Sequence, residues 1–130
     1  MIKSLLIANR GEIACRIMRT CRAMEIRSIA VFSDADVHAK HVREADEAMW
    51  IGASAATESY LDGPRIIAAA LEAGADAIHP GYGFLSENAG FAQAVLEAGL
   101  IWVGTKPDTI ESMGLKDREK AIAEDAGVPV

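Results

Sequence analysis

The sequence predicts an α/β protein with a doubly wound, mostly parallel open sheet and helices on both faces of that sheet. Three observations support this fold class. Short, continuously apolar segments recur along the chain, as expected of strands that are covered on both faces. Segments with apolar residues at helical spacing lie between them. Strands that alternate with helices imply parallel βαβ crossovers, and such crossovers build an open sheet.

The first half of the chain predicts three strands and one helix. Residues 4–8, SLLIA, are continuously apolar, which favours a strand buried on both faces. Residues 11–24 carry apolar side chains at helical spacing and therefore predict a helix. A second apolar strand is expected at 28–33, and a shorter third strand at 47–52.

The second half continues the alternation. Residues 63–74 have a proline near the first turn and a glycine at the end, an asymmetry typical of helices. A fourth strand is predicted at 76–80 and a fifth at 101–104, with a helix that closes on a glycine at 88–99 between them. A short helix that starts at a proline is predicted at 106–114.

Size, charge and composition exclude several classes of protein. The 130 residues fit one domain. A net charge of −6 argues against a nucleic-acid binder and against a basic helix on a membrane surface. No apolar run approaches the ~20 residues of a membrane span, and no signal-peptide cleavage pattern follows the amino terminus, so we expect a cytoplasmic protein. His38 and His41 lack a cysteine or carboxylate partner set, so no metal site is predicted.

Five conspicuous side chains are expected to be structural. Cys15 and Cys21 lie in one predicted helix and cannot pair there, which indicates small buried thiols in a reducing cytosol. Trp50 and Trp102 each fall in a predicted strand and are expected in the core. His79 ends a strand and is expected to be held by a hydrogen bond.

Two loops follow the first and fourth predicted strands, where ligands of open α/β sheets bind. In the first, ANRGE, Gly11 permits a tight turn and Glu12 suits the positive end of a helix dipole. A single glycine is weak support for a truncated nucleotide-binding loop, because the dinucleotide fingerprint needs three. The spacing therefore favours plain turn chemistry in this loop.

The second loop, HPGYGFLSEN, has a composition that favours a binding site over an ordinary connection. A proline ends the strand, and Gly81 and Gly83 permit positive φ or the close approach of another group. Tyr82 stands between the two glycines, where its ring can pack on a flat ligand. Ser86 or Asn88 can cap the next helix.

Arginines recur along one side of the first predicted helix, at Arg16, Arg19 and Arg22. The residues alone favour a solvated helix face. The alternative is a surface that pairs with carboxylates or with a second subunit.

The two loops together resemble the amino-terminal domain of biotin carboxylases. IANRGEIA and HPGYGFLSEN carry the resemblance, and ADEA, SYL, MGLK and AGVPV follow the family's order and spacing. The resemblance implies a Rossmann-like domain of the kind that precedes an ATP-grasp domain at residues 1–113, and the start of the ATP-grasp region at 114–130. It also implies a carboxyl-terminal domain further along the same protein.

The resemblance also implies an activity. Biotin carboxylases are ligases that use Mg·ATP and bicarbonate to carboxylate biotin on a carrier domain, the first half-reaction of acyl-CoA carboxylation. The expected partners are the ATP-grasp and carboxyl-terminal domains, the biotin carrier domain, a carboxyltransferase subunit and a second copy of the enzyme. The start of the chain close to the first strand favours a bacterial protein, and the segments IACRIMRTCRAM and SDAD…HVREADEA resemble an acyl-CoA carboxylase α chain.

Five residues acquire roles through this resemblance. Tyr82 and Gly83 match the loop near the biotin ring, and Lys116 matches a lysine that contacts ATP. Arg16 and Arg19 match arginines on the helix at the dimer interface, but the chain has alanine at position 23 where the bacterial enzyme has an acidic partner. No catalytic residue of the family is matched, so the 130-residue chain alone is expected to be inactive.

Two other functions remain open from the sequence. The chain could be a stand-alone mononucleotide-binding domain, which micromolar nucleotide affinity of the isolated chain would favour. It could also be a self-association module that uses the arginines of the first helix, which loss of a dimer on Arg16→Glu and Arg19→Glu would favour. The second alternative is compatible with a biotin carboxylase.

Overall fold

A computed structural model describes residues 1–113 as one parallel sheet with helices on both faces. The five strands lie in the order β3-β2-β1-β4-β5, and all neighbouring strands are parallel. The strands are β1 (Ser4–Ile7), β2 (Arg27–Ser33), β3 (Glu47–Gly52), β4 (Ala77–His79) and β5 (Ile101–Trp102). The helices are α1 (Gly11–Ala23), α2 (Lys40–Glu44), α3 (Gly63–Glu72) and α4 (Ala89–Glu97). Residues 107–113 are also helical.

The fold class and every strand and helix predicted within the described residues are confirmed, with ends that differ by up to two residues. Two 3₁₀ turns, Asp34–Asp36 and Ala56–Glu58, and the five-residue helix α2 were not predicted. These segments are too short to show a helical period in the sequence. The helix predicted at 106–114 is present at 107–113, and its last residue lies outside the described residues.

Alternate residues of β1 serve two separate cores, which explains why this strand is apolar without interruption. Leu6 joins Ile29 and Ile78 against α3 and α4, where Ile66 and Phe91 are buried. Full burial of one such side chain contributes about 1.5–3 kcal/mol. The sheet is therefore stabilised from both faces, as parallel sheets require.

The opposite face of β1 packs on the first helix. Leu5 and Ile7 lie with Ala30 in the second core, where Ala14 and Met18 of α1 are also buried. Because helical residues four apart share a face, the apolar stripe of α1 meets this side of the sheet. The arginines of the same helix are left on its outer side.

Polar side chains begin two of the helices. Asn88 accepts a hydrogen bond from the backbone N–H of Phe91 (2.8 Å), so Asn88 rather than Ser86 is the cap of α4. Asp62 accepts from the N–H of Arg65 (3.1 Å) and caps α3. Each cap satisfies a donor that the helix itself leaves free.

The expectation that both tryptophans belong to the core is wrong for Trp50. Its side chain is 49% exposed on the edge strand β3. The indole donates to Asp34 (2.7 Å), and the guanidinium of Arg65 lies 5.3 Å from the ring centroid. Trp102 is partly buried and meets the ring of Phe91 edge-on, with 5.7 Å between centroids.

An apolar groove of about 640 Å³ runs along α1 on the side of β4 and β5. Apolar residues of the amino terminus, β1, α1, the segment between α1 and β2 and the segment after β5 line most of it. They include Ile2, Leu5, Ile13, Ile17, Met24, Ile26 and Val103. His79, Gly81 and Tyr82 line the groove as well.

Within residues 1–113, no helix is long and apolar enough to cross a membrane.

The core assignment predicts a contrast between two leucines. Leu6→Ala should lower the free energy of unfolding by about 2–5 kcal/mol, because Leu6 is fully buried and its loss leaves a cavity. Leu71→Ala should change it by less than about 0.5 kcal/mol, because Leu71 is 55% exposed. Urea unfolding followed by circular dichroism measures both values. Equal losses would contradict the assignment of Leu6 to the core.

Candidate functional site

The candidate site lies where the loops after β1 and β4 meet. The two strands are neighbours, with Ile7 opposite His79, and the N–H of Ala8 donates to the His79 carbonyl (2.8 Å). The order in which strands are added to the sheet switches from one side of β1 to the other at this point, which is the usual position for ligands in doubly wound folds. The two loops border a cleft of about 540 Å³. Its lining is Asn9, Arg10, Gly11, Glu12, Ile13, Tyr82, Gly83 and Phe84.

Residues 80–84, here named the Tyr82 loop, have an unusual backbone. Gly81 (φ +67°), Gly83 (φ +69°) and Phe84 (φ +43°) all have left-handed conformations. The predicted conformational role of the two glycines is thus confirmed. Tyr82 between them is 79% exposed, so its ring stands out from the sheet edge.

Asn9 fixes this loop from below, and sequence reasoning missed it. Its side chain is buried, and the Nδ2 group donates to the carbonyl oxygens of Pro80 (2.9 Å) and Tyr82 (2.6 Å). Its Oδ1 accepts from the N–H of Arg10 (2.9 Å). No local pattern in ANRGE marks this asparagine, because its partners lie more than 70 residues away in the sequence.

Gly81 is required by close packing as well as by its φ. A Cβ at this position would lie 2.8 Å from Asn9 Nδ2 and 2.8 Å from Ile13 Cγ2. The N–H of Gly81 donates to His79 Nδ1 (3.0 Å), which confirms that His79 is held by a hydrogen bond. Burial lowers the pKa of His79 and favours the neutral ring that can accept this bond.

A second set of contacts joins the ends of the first four strands. Arg10 donates twice to the carboxylate of Asp36, from Nε (2.6 Å) and from a terminal nitrogen (2.7 Å). The hydroxyl of Tyr60 donates to the same carboxylate (2.5 Å). The Tyr60 ring stacks on Phe84 of the Tyr82 loop, with 5.1 Å between centroids.

Titration of this cluster follows from its contacts. The hydrogen bonds from Arg10 outweigh desolvation and lower the pKa of Asp36 to about 2. Burial and the hydrogen bond to Asp36 raise the pKa of Tyr60 to about 12. The pKa of Arg10 is raised by the same pairing. The carboxylate is therefore ionised, and the phenol and guanidinium protonated, throughout the neutral range.

The outer side of α1 carries the predicted arginines, and all three are exposed. Arg19 pairs with Glu12 two turns earlier (2.9 Å) and lowers the pKa of that carboxyl. Arg22 donates to the carbonyl of Glu44 on α2 (3.4 Å). Arg16 lies at the groove along α1.

The remaining candidate residues have simple environments. Cys15 and Cys21 are buried and unpaired as predicted, and burial raises the pKa of both thiols. His41 is fully buried, with its Nε2 bonded to the Val31 carbonyl (3.0 Å). The described part of the chain holds no group of three or more histidine, cysteine or acidic residues placed for a metal ion. Lys116 lies outside the described residues.

The strand order, and the cleft where that order switches sides, define a doubly wound α/β domain whose candidate site lies between β1 and β4. Residues 1–110 match the model of the family described as biotin carboxylase, N-terminal domain. The chain belongs to this family.

Three relatives show how far the similarity extends. The biotin carboxylase of Halalkalibacterium halodurans is 54% identical over 130 residues, which are all of this chain and 29% of the relative. The mitochondrial methylcrotonoyl-CoA carboxylase subunit alpha of Oryza sativa subsp. japonica is 54% identical over 129 residues, 99% of this chain and 18% of the relative. A crystal structure of the Hydrogenobacter thermophilus 2-oxoglutarate carboxylase biotin carboxylase domain dimer, with MgADP, ADP and bicarbonate, has a TM-score of 0.86. It is 47% identical, and the match covers all of this chain and 28% of that one.

The Asp36 cluster predicts a specific dependence on pH. The folded-state pKa of about 2 lies below the ordinary value of 3.8, so the stability that this carboxylate contributes is present at neutral pH and is lost as the pH falls toward about 2. Between about pH 5 and pH 3, the wild-type free energy of unfolding should fall more steeply than that of Asp36→Asn. Urea titrations at several pH values measure both slopes.

The control for this experiment is Asp108→Asn, at an exposed position away from the cluster. This variant should keep the wild-type slope. Identical slopes for the wild type and Asp36→Asn would rule out the proposed origin of the acid sensitivity.

Proposed function

We propose that this chain is the amino-terminal domain of a biotin carboxylase that uses Mg·ATP and bicarbonate to carboxylate biotin on a carrier domain. In this proposal the reaction is the first half of an acyl-CoA carboxylation. The observation that carries the proposal is the match of residues 1–110 to the family, supported by 54% identity over the whole chain to a biotin carboxylase. The relative with bound MgADP and bicarbonate supports the choice of cosubstrates.

Within this proposal, Tyr82 and Gly83 border the biotin ring. Tyr82 presents an exposed ring, and no heavy atom lies within 4 Å of a Cβ built on Gly83. A flat ureido ring could thus approach the backbone closely on one side and the aromatic ring on the other. Lys116 is proposed to contact ATP, by resemblance to the family alone.

The chain supplies only part of such an enzyme. It spans 29% of the length of the Halalkalibacterium relative, so the ATP-grasp domain, the carboxyl-terminal domain and the residues that hold magnesium are proposed to lie elsewhere in the protein. The groove along α1 supports this proposal, because its apolar walls provide a surface for further parts of the polypeptide. The carrier domain, the carboxyltransferase subunit and the cytoplasmic location belong to the same proposal.

Self-association through α1 is also proposed. Arg16 and Arg19 are exposed on its outer side, and the Hydrogenobacter domain is described as a dimer. Because Arg19 is paired with Glu12 and position 23 is alanine, the contacts of Arg19 in such a dimer would differ from those of the bacterial enzyme. The acceptor is proposed as an acyl-CoA, because a methylcrotonoyl-CoA carboxylase subunit is among the relatives. That subunit is 54% identical, the same value as for the Halalkalibacterium biotin carboxylase.

A chimera tests the proposed activity. The chain would replace the 130 matched residues of the Halalkalibacterium biotin carboxylase, and ADP release would be followed with free biotin, bicarbonate and Mg·ATP. We expect biotin-dependent ATP cleavage by the chimera and none by the isolated chain. A folded chimera that cleaves ATP without any response to biotin would contradict the proposal. So would micromolar binding of ATP by the isolated chain, which would favour the stand-alone nucleotide-binding domain.

The role of Tyr82 can be tested in the same chimera. Tyr82→Ala should raise the KM for free biotin by about three- to tenfold, because an aromatic contact contributes roughly 0.5–1.5 kcal/mol. Tyr82→Phe keeps the ring and should stay closer to the parent. An unchanged KM in Tyr82→Ala would exclude contact between this ring and biotin.

A further inference from the structure

The backbone of the Tyr82 loop is held by side chains from the ends of two adjacent strands. Asn9 bonds the carbonyl groups of Pro80 and Tyr82, and His79 accepts from the N–H of Gly81. Three consecutive residues of the loop are therefore fixed at their backbone groups. The exposed ring of Tyr82 takes its position from these bonds, because the ring itself is 79% exposed.

The bonding pattern at Asn9 requires a side-chain amide. Two N–H donors face two carbonyl oxygens, and one oxygen faces the N–H of Arg10. A carboxylate cannot donate, and a hydroxyl has only one donor, so neither reproduces the three bonds. Asn9 is 1% exposed, so water does not replace a missing donor.

The close packing of Gly81 against Asn9 is a second observation on the contact between Asn9 and the loop. A methyl group at Gly81 would meet Asn9 Nδ2 and Ile13 Cγ2 at 2.8 Å, whereas one at Gly83 would meet nothing within 4 Å. Both glycines have nearly the same left-handed φ, +67° and +69°. An alanine at either position carries similar backbone strain, and only the alanine at Gly81 also pushes against Asn9.

We propose that Asn9 is a positioning residue for biotin carboxylation, one that acts on biotin through the backbone of the Tyr82 loop. This inference rests on the proposed function and on the proposed contact of Tyr82 and Gly83 with biotin. In this proposal Asn9 acts without contacting substrate, by fixing the backbone of the loop on which both residues lie. Misplacement of a binding group by about 1 Å can cost roughly a hundredfold in rate, so a shift of this loop has consequences for catalysis.

The first experiment examines the hydrogen bonds between Asn9 and the Tyr82 loop by NMR, on the 130-residue chain. The side-chain amide of Asn9 should give two separate, slowly exchanging proton signals, because both N–H groups are bonded. Gly81→Ala should shift these signals and the backbone signals of the loop. Gly83→Ala should leave the Asn9 side-chain signals in place. Rapid exchange at the Asn9 side-chain amide would show that these hydrogen bonds are not maintained. This result would overturn the positioning role, whatever the function of the protein.

The second experiment uses the chimera with the Halalkalibacterium enzyme. Asn9→Asp is nearly isosteric, but it replaces the NH2 group that donates to two carbonyl oxygens with an oxygen that repels them. It should lower kcat/KM for biotin by about ten- to a hundredfold and leave the KM for Mg·ATP unchanged. Leu6→Ala is the control for general destabilisation, and the KM for biotin should stay at the parental value in this variant. If Asn9→Asp does not fold, Gly81→Ala takes its place, and the same two quantities, kcat/KM for biotin and KM for Mg·ATP, are measured.

The outcomes separate the two proposals. A parental chimera without biotin-dependent activity contradicts the proposed function and, with it, the positioning role in catalysis. An active chimera in which Asn9→Asp, or Gly81→Ala in its place, keeps the parental kcat/KM for biotin overturns the positioning role alone. Equal rises in the KM values for biotin and for Mg·ATP would show a purely structural role and would also overturn it.

Discussion

The carboxylate of Asp36 is the contact on which the candidate site at the carboxyl ends of the strands depends. It follows β2, receives two hydrogen bonds from Arg10 after β1 and a third from Tyr60 after β3. The ring of Tyr60 extends the connection to Phe84 after β4. A buried carboxylate is costly unless it is paired and hydrogen-bonded, and here both conditions are met. Removal of Arg10 would leave this buried carboxylate without its ionic partner.

The left-handed residues of the Tyr82 loop are tolerated because contacts on two sides fix them. Phe84 has φ +43° without being glycine, and its stacking on Tyr60 offsets the strain. On the other side, Asn9 occupies the space under Gly81 and bonds the carbonyls around it. The exposed ring of Tyr82 is thus carried by a backbone that the buried residues Asn9 and Tyr60 hold in place.

The described domain has a well-packed core on both faces of its sheet, but an apolar groove remains on its surface. Both sides of β1 are buried, by α3 and α4 on one face and by α1 on the other. The groove beside α1 nevertheless keeps apolar walls, and the Tyr82 loop lies at one part of it. The geometry therefore places the exposed tyrosine next to a surface that suits a further domain.

The sequence by itself determined the strands, the longer helices, the buried cysteines and the glycines of the Tyr82 loop. These features depend on apolar period, on flanking prolines and glycines and on residue size, and all of these are local. Only the tertiary structure revealed the roles of Asn9 and Asp36, because their partners lie 24 to 73 residues away and no periodicity marks them. It also corrected Trp50, since an apolar strand pattern does not distinguish an edge strand from a central one. Local patterns specify the elements, whereas the order of the strands decides which polar side chains meet at their ends.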